Sequence, residues 1–320
     1  MMDWTDRHCR MFHRQLTRHA LLYTEMVTAP AILHGDRQRL LAKALSDKPV
    51  ALQLGGSDPA ALAEAAAVGA DYGYDEINLN VGCPSDRVQE GRFGACLMAE
   101  PELVAACVTA MQQQVKVPLT VKCRIGIDEQ DSERDLARFI DTVAGVGCTT
   151  FVVHARKAWL RGLSPKENRE VPPLDYARVY RLKAARPELT IVVNGGIACL
   201  DEAAAHLQHV DGVMMGRAAY QTPYLLAEVD GRFFDSNASV ISRLDAIEGM
   251  LPYIEQHLQR GGRLNNIVRH MLGLYHGEPR ARLFRRHLSE NAPRETAGLA
   301  TLLEAVALVE PSWRPAAAAE

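Results

Sequence analysis

The stretch TFVVHARKAWLRGLSPKENREVPPLDYARVYRLKAARPELTIVVN, residues 150–194, decides the fold class. Its two ends, 150–154 and 190–194, are short apolar runs rich in β-branched side chains, and residues 174–185 between them have a helical period. Nearly continuous apolar strands that are separated by helices indicate a parallel sheet covered on both faces. We therefore expect an α/β fold.

The same strand–helix alternation extends in both directions along the chain. Outside this stretch, strands are expected at residues 21–26, 49–54, 76–80, 119–124 and 212–216. Helices are expected at residues 59–68, 101–115, 132–146 and 200–208, and a helix-like segment at 6–16 comes before the first of these strands. The alternation leaves two architectures, the doubly wound sheet and the (β/α)₈ barrel.

Two observations favour the barrel. Polar residues end nearly every expected strand, as a barrel active site requires, whereas an open sheet concentrates its site at one switch point. No G-x-G-x-x-G motif follows an early strand, so the dinucleotide fingerprint is missing. The polar strand ends are Glu25, Gln53, Asn78, Asn80, Lys122, Arg124, His154, Asn194 and, after Gly216, Arg217.

Seven strands are expected where a barrel has eight. We expect the first strand to be missing from this chain because the helix-like segment at 6–16 precedes the first expected strand; a strand missed elsewhere is the alternative. After residue 234 the pattern becomes helical, at 240–259, 264–274, 281–288 and 295–309. The expected domains are a barrel at 1–234, a small α-helical bundle at 238–310 and a disordered tail at 311–320.

Composition excludes several classes of protein. Lys and Arg number 36 and Asp and Glu 39, so the net charge of −3 excludes a histone-like protein. The sequence has no apolar run of the roughly 18 residues that a membrane span needs. Seven cysteines without a C-x-x-C pair argue against a disulfide framework and against a structural zinc site. We expect a soluble, cytoplasmic protein with no metal site.

Glycine-rich turns follow the last two expected strands. Asn194-Gly195-Gly196 and Gly216-Arg217 lie where barrels usually bind a phosphate, because glycine lets backbone N–H groups approach the anion. Ordinary turn glycines are the alternative. The spacing does not decide between the phosphate of a cofactor and that of a substrate.

Lys122 and His154 lie in neighbouring strands. A lysine within a buried strand is costly unless it is paired or functional, and a cation there suits a developing anion such as a reduced flavin or an enolate. A rim salt bridge is the alternative for Lys122, and a hydrogen-bonded core histidine is the alternative for His154.

Cys83 directly follows a strand, in Asn80-Val81-Gly82-Cys83-Pro84. A thiol on a tight loop at the catalytic face of a barrel can act as a nucleophile or as a general acid. Cys96, on the same long loop, is its competitor.

Basic residues concentrate in two places. Residues 260–294 contain eight arginines (260, 263, 269, 280, 282, 285, 286 and 294) against Glu278 and Glu290, a local charge of about +6. Lys157, Arg161, Lys166 and Arg169 follow the strand at 150–154. Solvated surface charge is the ordinary interpretation, but a basic bundle together with a basic active-site loop suggests a polyanionic partner.

At this point the sequence resembles the tRNA-dihydrouridine synthase family, over residues 1 to about 290. The resemblance rests on YDEINLNVGCPS at 74–85, ALQLGGS at 51–57, HARKA at 154–158 and NGGI at 194–197. Two further motifs, GLSPKENRE at 162–170 and RHMLGL at 269–274, are similar to the A-type bacterial subfamily.

The resemblance implies an FMN-binding TIM-barrel domain and a helical tRNA-binding domain. Separately, we expect a monomer. The resemblance also implies that FMN and NADPH reduce uridine to dihydrouridine in the tRNA D-loop, at positions 20 and 20a, and that Cys83 donates a proton. It assigns cofactor contacts to Gln53, Lys122, His154, Asn194, Gly195, Gly196, Gly216 and Arg217. It assigns tRNA contacts to Asn80, Lys166, Arg169, Arg282 and Arg285.

The chain departs from the family pattern at its start. In relatives, a strand precedes the segment that corresponds to Asp3-Trp4-Thr5-Asp6. That strand ends in an Ala-Pro-Met-like motif, and the methionine of this motif touches the flavin. Met1 and Met2 occupy the end of that motif here, so the cofactor contact is assigned to them. A barrel that lacks one strand has two exposed sheet edges, which is a folding liability.

Three alternatives remain at this stage. The first is an FMN barrel that reduces a free pyrimidine or a small enoate, for which the basic helical segment has no use. The second is a barrel lyase or isomerase without flavin that binds a phosphorylated substrate. The third is a bare RNA-binding or folding-assisting module, whose site is degenerate because the first strand is lost.

Overall fold

The chain divides into two compact units. The computed structural model describes residues 1–85, 88, 91–235 and 237–313. One unit, the barrel unit, consists of Met1, Leu21–Lys43 and Pro49–Gly216. The other, the helical unit, consists of Met2–Ala20, Ala44–Lys48 and Arg217–Glu320. This division differs from the expected boundary at residue 234, because the first helix of the chain and residues 217–234 belong with the helical segment.

Seven parallel strands form the sheet of the barrel unit, each hydrogen-bonded to the next along the chain. Strands in sequential order are typical of a barrel, and the order excludes the reversal of a doubly wound sheet. The barrel prediction is therefore confirmed. In the described part of the chain no eighth strand is found. The strands are β1 (Leu22–Thr28), β2 (Val50–Gly55), β3 (Glu76–Val81), β4 (Leu119–Arg124), β5 (Thr150–His154), β6 (Thr190–Asn194) and β7 (Gly212–Met214).

Helices follow the strands of the barrel unit and make up most of the helical unit. In chain order they are α1 (Arg7–Leu16), α2 (Ala29–His34), α3 (Arg37–Leu41), α4 (Pro59–Asp71), α5 (Pro101–Gln114), α6 (Glu133–Ala144), α7 (Tyr176–Ala185), α8 (Leu200–His206), α9 (Arg217–Gln221), α10 (Val229–Phe233), α11 (Arg243–Gln259), α12 (Leu264–Val268), α13 (Ala281–Asn291) and α14 (Leu299–Ala307). Short 3₁₀ turns occur at Leu45–Asp47, Gly94–Ala99, Glu167–Arg169 and Pro223–Glu228.

The sequence explains where the barrel helices begin. The Asp58 side chain accepts a hydrogen bond from Ala61 N ahead of Pro59, the first residue of α4. Ser132 and Asp135 form a reciprocal capping box at the start of α6. Every residue of β2 and of β3 is buried, as the apolar runs predict. These strands carry the polar side chains of the site.

Asp6 organises the start of the helical unit. Its carboxylate accepts hydrogen bonds from the backbone N–H groups of His8 and Cys9, which caps α1. The same carboxylate lies 2.6 Å from an Arg269 guanidinium nitrogen and 3.1 Å from His270 Nε2. The Asp3-Trp4-Thr5-Asp6 segment and the motif at residues 269–274 are therefore in direct contact within this unit.

The end of the described chain packs on the helical unit. Trp313 Nε1 donates a hydrogen bond to Glu248 in α11. Residues 314–320 of the expected tail, and Ser236 of the expected hinge, lie outside the described residues. No helix among the described residues has the length and apolar character to cross a bilayer.

We predict that Asp6→Asn lowers the free energy of unfolding at pH 7 by about 2 kcal/mol, because a charged acceptor at a helix cap is lost. Burial alone would raise the pKa of Asp6, but His270, Cys9 N–H and Arg269 together hold it well below its ordinary value. The contribution is therefore present above about pH 4 and is lost as the pH falls below it. Urea unfolding of parent and variant across pH 3–7 tests this.

Glu295→Gln is the control for the Asp6 variant. Its carboxylate is 86% exposed and pairs with Arg263 on the surface, so a change within about 0.5 kcal/mol is expected. An Asp6→Asn deficit that stays constant from pH 7 to pH 3 would contradict the prediction.

Candidate active site at the carboxyl ends of the strands

The interior face of β3 is lined by polar side chains. Because side chains alternate along a strand, Glu76, Asn78 and Asn80 point to the same face of the sheet. The register places Gln53 of β2 and Thr120 of β4 beside Asn78. All five side chains are buried, so each polar group needs a partner inside the protein.

Asn80 fixes the loop that carries Cys83. Its Oδ1 accepts hydrogen bonds from the backbone N–H groups of Gly82 and Cys83, both at 2.9 Å. Its Nδ2 donates to Gln53 Oε1 at 2.8 Å, and Gln53 Nε2 donates to Asn78 Oδ1 at 2.9 Å. The predicted residues Gln53, Asn80 and Cys83 are thus linked by hydrogen bonds. At 8% exposure Asn80 is buried.

A second contact holds the other side of the Cys83 loop. The carbonyl of Cys83 accepts a hydrogen bond from Ala95 N at 2.9 Å. Gly94 has a φ of +73°, and a Cβ there would lie 2.5 Å from the Cys83 carbonyl oxygen. Glycine is required at this position because a side chain would displace the loop.

The thiol of Cys83 is partly exposed and lies 3.5 Å from Ser85 Oγ. Cys96, the competing thiol, lies 3.1 Å from the carbonyl oxygen of Phe93, and burial raises its pKa. The Cys96 thiol must be the donor in its contact, because a carbonyl oxygen only accepts, whereas in the longer contact of Cys83 either Sγ or Ser85 Oγ could be the donor. This difference favours Cys83.

Lys122 and Asn194 come together across the barrel. Lys122 Nζ donates a hydrogen bond to Asn194 Oδ1 at 3.0 Å, and Asn194 Nδ2 donates to the Met214 carbonyl at 2.7 Å. Burial and the nearby Arg124 lower the pKa of Lys122 to about 8. Among the described residues no carboxylate pairs with Lys122, so the geometry does not support the rim salt bridge.

His154 packs against the glycine turn after β6. Gly195 has a φ of +116°, and a Cβ there would lie 2.5 Å from His154 Cδ2. Gly196 also has a positive φ, of +73°. Neither glycine N–H has an acceptor among the described residues. At the end of β7, Met1 Sδ lies 3.5 Å from the position that a Cβ of Gly216 would take.

Arg124 joins the loops that follow β3 and β5. It is 3% exposed. Its Nε donates to the Gly82 carbonyl at 2.9 Å, and one terminal nitrogen donates to the carbonyls of Lys157 and Asn168 at 3.1 and 3.0 Å. Burial lowers its pKa to about 10, so it stays protonated at neutral pH. From the sequence, Arg124 was expected at a strand end without a role; the one signal for it was a second cation two residues after Lys122.

Asn168 shapes the basic loop after β5, a role that was not predicted from the sequence either. It is fully buried. Its Oδ1 accepts from Trp159 N at 2.8 Å, and its Nδ2 donates to the carbonyls of Trp159 and Leu163. The only sequence signal was its place in the motif at 162–170.

The basic residues of this loop divide into two groups. Lys157 is engaged, 3.0 Å from the Asp131 carboxylate and 3.9 Å from the centre of the Trp159 ring. Arg161, Lys166 and Arg169 are exposed. The exposed group contains both loop residues predicted to contact tRNA.

The remaining predicted residues belong to the helical unit. Met2 is exposed, Arg217 begins α9, and Arg282 and Arg285 lie on the exposed face of α13, whose opposite face buries Phe284 and other apolar side chains. Among the residues that the structure describes, two of the eight arginines at 260–294 are in ion pairs: Arg263 with Glu295 and Arg269 with Asp6.

Comparisons with known proteins agree on one family. The family model described as dihydrouridine synthase matches residues 1–309. A tRNA-dihydrouridine(20/20a) synthase of Shewanella oneidensis is 64% identical over 299 residues, 93% of this chain and 89% of that protein. Proteins of the same name from Yersinia pestis and Synechocystis are each 61% identical, over 98% and 95% of this chain and 91% and 92% of their own lengths.

A solved structure shows the same fold at much lower identity. The complex of 2-naphthoyl-CoA reductase with 2-naphthoyl-CoA has a TM-score of 0.52 and 12% identity, covering 71% of this chain and 47% of that chain. At this identity the likeness concerns the fold alone.

We predict that Arg124→Met lowers the free energy of unfolding by about 3 kcal/mol, because three backbone carbonyls lose a buried, charged donor. It should also release the loop after β5, so that trypsin cleaves after Arg161, Lys166 or Arg169 about tenfold faster under conditions where global unfolding is negligible. Limited proteolysis with mass spectrometry measures this.

Arg181→Met is the matched control, since Arg181 forms an exposed ion pair with Glu133 at 2.6 Å. Its effect on stability should stay within about 0.5 kcal/mol, with the loop cleaved at the parent rate. If Arg124→Met lost stability but left loop cleavage unchanged, Arg124 would not be what holds the loop.

Proposed function

The chain belongs to the dihydrouridine synthase family, and from this premise we propose that it reduces uridine to 5,6-dihydrouridine in the D-loop of tRNA, at positions 20 and 20a. The position is taken from relatives that carry it in their names and are up to 64% identical to this chain. The observation in the structure that supports it best is the Cys83 loop, which is held by Asn80 at the carboxyl ends of the strands.

The residues at the strand ends fit a bound flavin mononucleotide. The N–H groups of Gly195 and Gly196 suit a phosphate, and there is no room for a Cβ, which would meet His154 at Gly195 and Leu174 at Gly196. Lys122 supplies a cation, and Gln53 supplies a fixed amide. Met1 and Gly216 are further proposed contacts in the barrel unit, and Met2 and Arg217 stay predictions from the resemblance. FMN, when bound and reduced by NADPH, supplies the hydride that is added at C6 of the uracil.

Cys83 is proposed as the general acid that protonates C5 of the uracil. Hydride at C6 and this proton at C5 together saturate the C5–C6 double bond, and the thiol is left as a thiolate that takes up a proton from water. The bonds to Asn80 and Ala95 restrict the loop, so little motion has to be frozen when the substrate binds. Lys122 is proposed to stabilise negative charge near the reacting centre.

Asn80 is proposed to contact the uridine base rather than a phosphate. It is buried among the strand ends, where a phosphate would be costly to desolvate. Its amide has two Nδ2–H donors, and the bond to Gln53 uses one of them. The base has to leave its stack in the tRNA to reach this depth, which costs a few kcal/mol.

Phosphate contacts are proposed to offset that cost. Lys166 and Arg169 are exposed on the loop after β5, and Arg282 and Arg285 are exposed on α13. In the described part of the chain none of these four side chains is in an ion pair. A reductase of free pyrimidines, the alternative considered from the sequence, has no use for these cations. We propose the cytoplasm, where tRNA is found, as the place of action; the monomeric state stays a prediction.

We predict that Cys83→Ala lowers the rate of dihydrouridine formation by about 10²–10⁴-fold, the usual contribution of a general acid. Reduction of bound flavin by NADPH should survive, because no proton from Cys83 is needed for it. Stopped-flow absorbance measures flavin reduction, and mass spectrometry of digested tRNA measures dihydrouridine. If Cys83→Ala kept the parent rate while Cys96→Ala lost it, Cys96 would be the acid.

We predict that Arg282→Gln and Arg285→Gln each weaken tRNA binding and lower the slope of log K against log salt by about 0.7–0.9, the loss of one phosphate contact. NADPH oxidation should be unchanged. Filter binding to unmodified tRNA between 50 and about 200 mM salt measures the slope. Arg138→Gln, at an exposed ion pair with Glu102 in the barrel unit, is the control. An unchanged slope would make these arginines ordinary surface charge.

A further inference from the structure

A chain of hydrogen bonds runs through the interior of the barrel unit from the Cys83 loop to Glu76, a carboxylate that the proposed reaction does not use. In order, the Cys83 N–H donates to Asn80 Oδ1 (2.9 Å), Asn80 Nδ2 to Gln53 Oε1 (2.8 Å), Gln53 Nε2 to Asn78 Oδ1 (2.9 Å), Asn78 Nδ2 to Thr120 Oγ1 (2.8 Å), and Thr120 Oγ1 to Glu76 Oε1 (2.6 Å).

Every bond in this chain has the same direction. At one end stands a backbone N–H, which only donates, and at the other Glu76 Oε1, which accepts from both Thr120 and Tyr23. The side-chain amides of Asn80, Gln53 and Asn78 each accept a hydrogen bond from one neighbour and donate one to the next. The Thr120 hydroxyl does the same between Asn78 and Glu76. With both ends fixed, only one orientation of the three amide groups satisfies all five bonds, and that orientation points Asn80 Oδ1 at the Cys83 loop.

Burying the carboxyl group of Glu76, at the far end of this series of hydrogen bonds, costs free energy. Glu76 is buried at the amino end of β3, and burial raises its pKa, while hydrogen bonds from Thr120 and Tyr23 act in the opposite direction. Along the strand it is four residues from Asn80, roughly 13 Å at the usual rise of a strand. A leucine in its place would avoid the desolvation of a charge. The carboxylate therefore requires a reason other than packing.

We propose that Glu76 is a positioning residue, which fixes the orientation of Asn78, Gln53 and Asn80 through Thr120 and so holds the Cys83 loop in place from the opposite end of strand β3. This inference rests on the proposed function only for its consequence, since Cys83 is the proposed acid and Gln53 a proposed flavin contact. The geometry of the chain is independent of that function.

Thr120 is the best residue at which to interrupt the series of hydrogen bonds, because its hydroxyl both donates to Glu76 and accepts from Asn78. Thr120→Val keeps the volume and removes both bonds, whereas Thr120→Ser keeps the hydroxyl. Tyr23→Phe is a matched control: the Tyr23 hydroxyl donates to the same Glu76 oxygen at 2.7 Å but lies outside the chain. Glu76→Met removes the acceptor itself.

The readout is amide hydrogen exchange at Gly82 and Cys83 in the full-length protein, together with the rate at which iodoacetamide labels Cys83. In Thr120→Val and in Glu76→Met we expect both amides to exchange about tenfold faster, the effect of weakening one hydrogen bond by about 1.4 kcal/mol, and labelling to accelerate. Thr120→Ser and Tyr23→Phe should stay within about twofold of the parent. The double variant Thr120→Val/Glu76→Met should exchange these amides little faster than Glu76→Met alone, because both changes interrupt the same series of hydrogen bonds.

A purely structural role for Glu76 makes a different prediction. Tyr23→Phe would then act on the loop as Thr120→Val does, or neither would act on it while both lowered stability; either result would overturn the proposal. If Glu76→Met fails to fold, the comparison of Thr120→Val with Thr120→Ser and Tyr23→Phe still decides. A parent protein that makes no dihydrouridine would overturn the proposed function and leave this comparison intact.

Discussion

The rest of the site depends on one interaction: the Asn80 side chain accepts hydrogen bonds from the backbone N–H groups of Gly82 and Cys83. A thiol on a loop can act as an acid only if the loop keeps one conformation. Loops have few contacts of their own that would restrain them. Here a strand residue provides the restraint, so the loop inherits the rigidity of the sheet. The same contact obliges Asn80 to be buried, and a buried amide needs partners for its remaining groups.

That requirement extends inward from the site. Since Asn80 donates to Gln53 and Gln53 donates to Asn78, a polar layer occupies barrel positions that apolar side chains usually fill. Arg124 meets a similar requirement on the neighbouring strand, where its guanidinium donates to three backbone carbonyls. The loops after β3 and β5 are consequently held by one side chain, although residues 82 and 168 are far apart in sequence.

The strands could be predicted because each is a short apolar run, and β4, β5 and β6 have the expected bounds. The expected helix at 264–274 ends at Val268, and the short α2 and α3 were missed, because their pattern is too short to show a period. The place of residues 2–20 could not be predicted, since it depends on tertiary contacts such as that of Asp6 with Arg269. The role of Arg124 was hidden for the same reason: its partners are backbone carbonyls, which leave no trace in sequence.

The distribution of the basic side chains follows from the same physics. The donors of Lys157 and Arg124 bind groups of the protein itself, the Asp131 carboxylate and the Lys157 carbonyl, and these contacts hold the site together. Lys166 and Arg169 lie on the same loop but are exposed, and an exposed cation retains its hydration until a phosphate displaces it. Such a contact gains from counterion release and carries no sequence information. Under the proposed function, the choice of uridine depends on which base reaches the Cys83 loop, and so on the polar layer beneath it rather than on the surface charge.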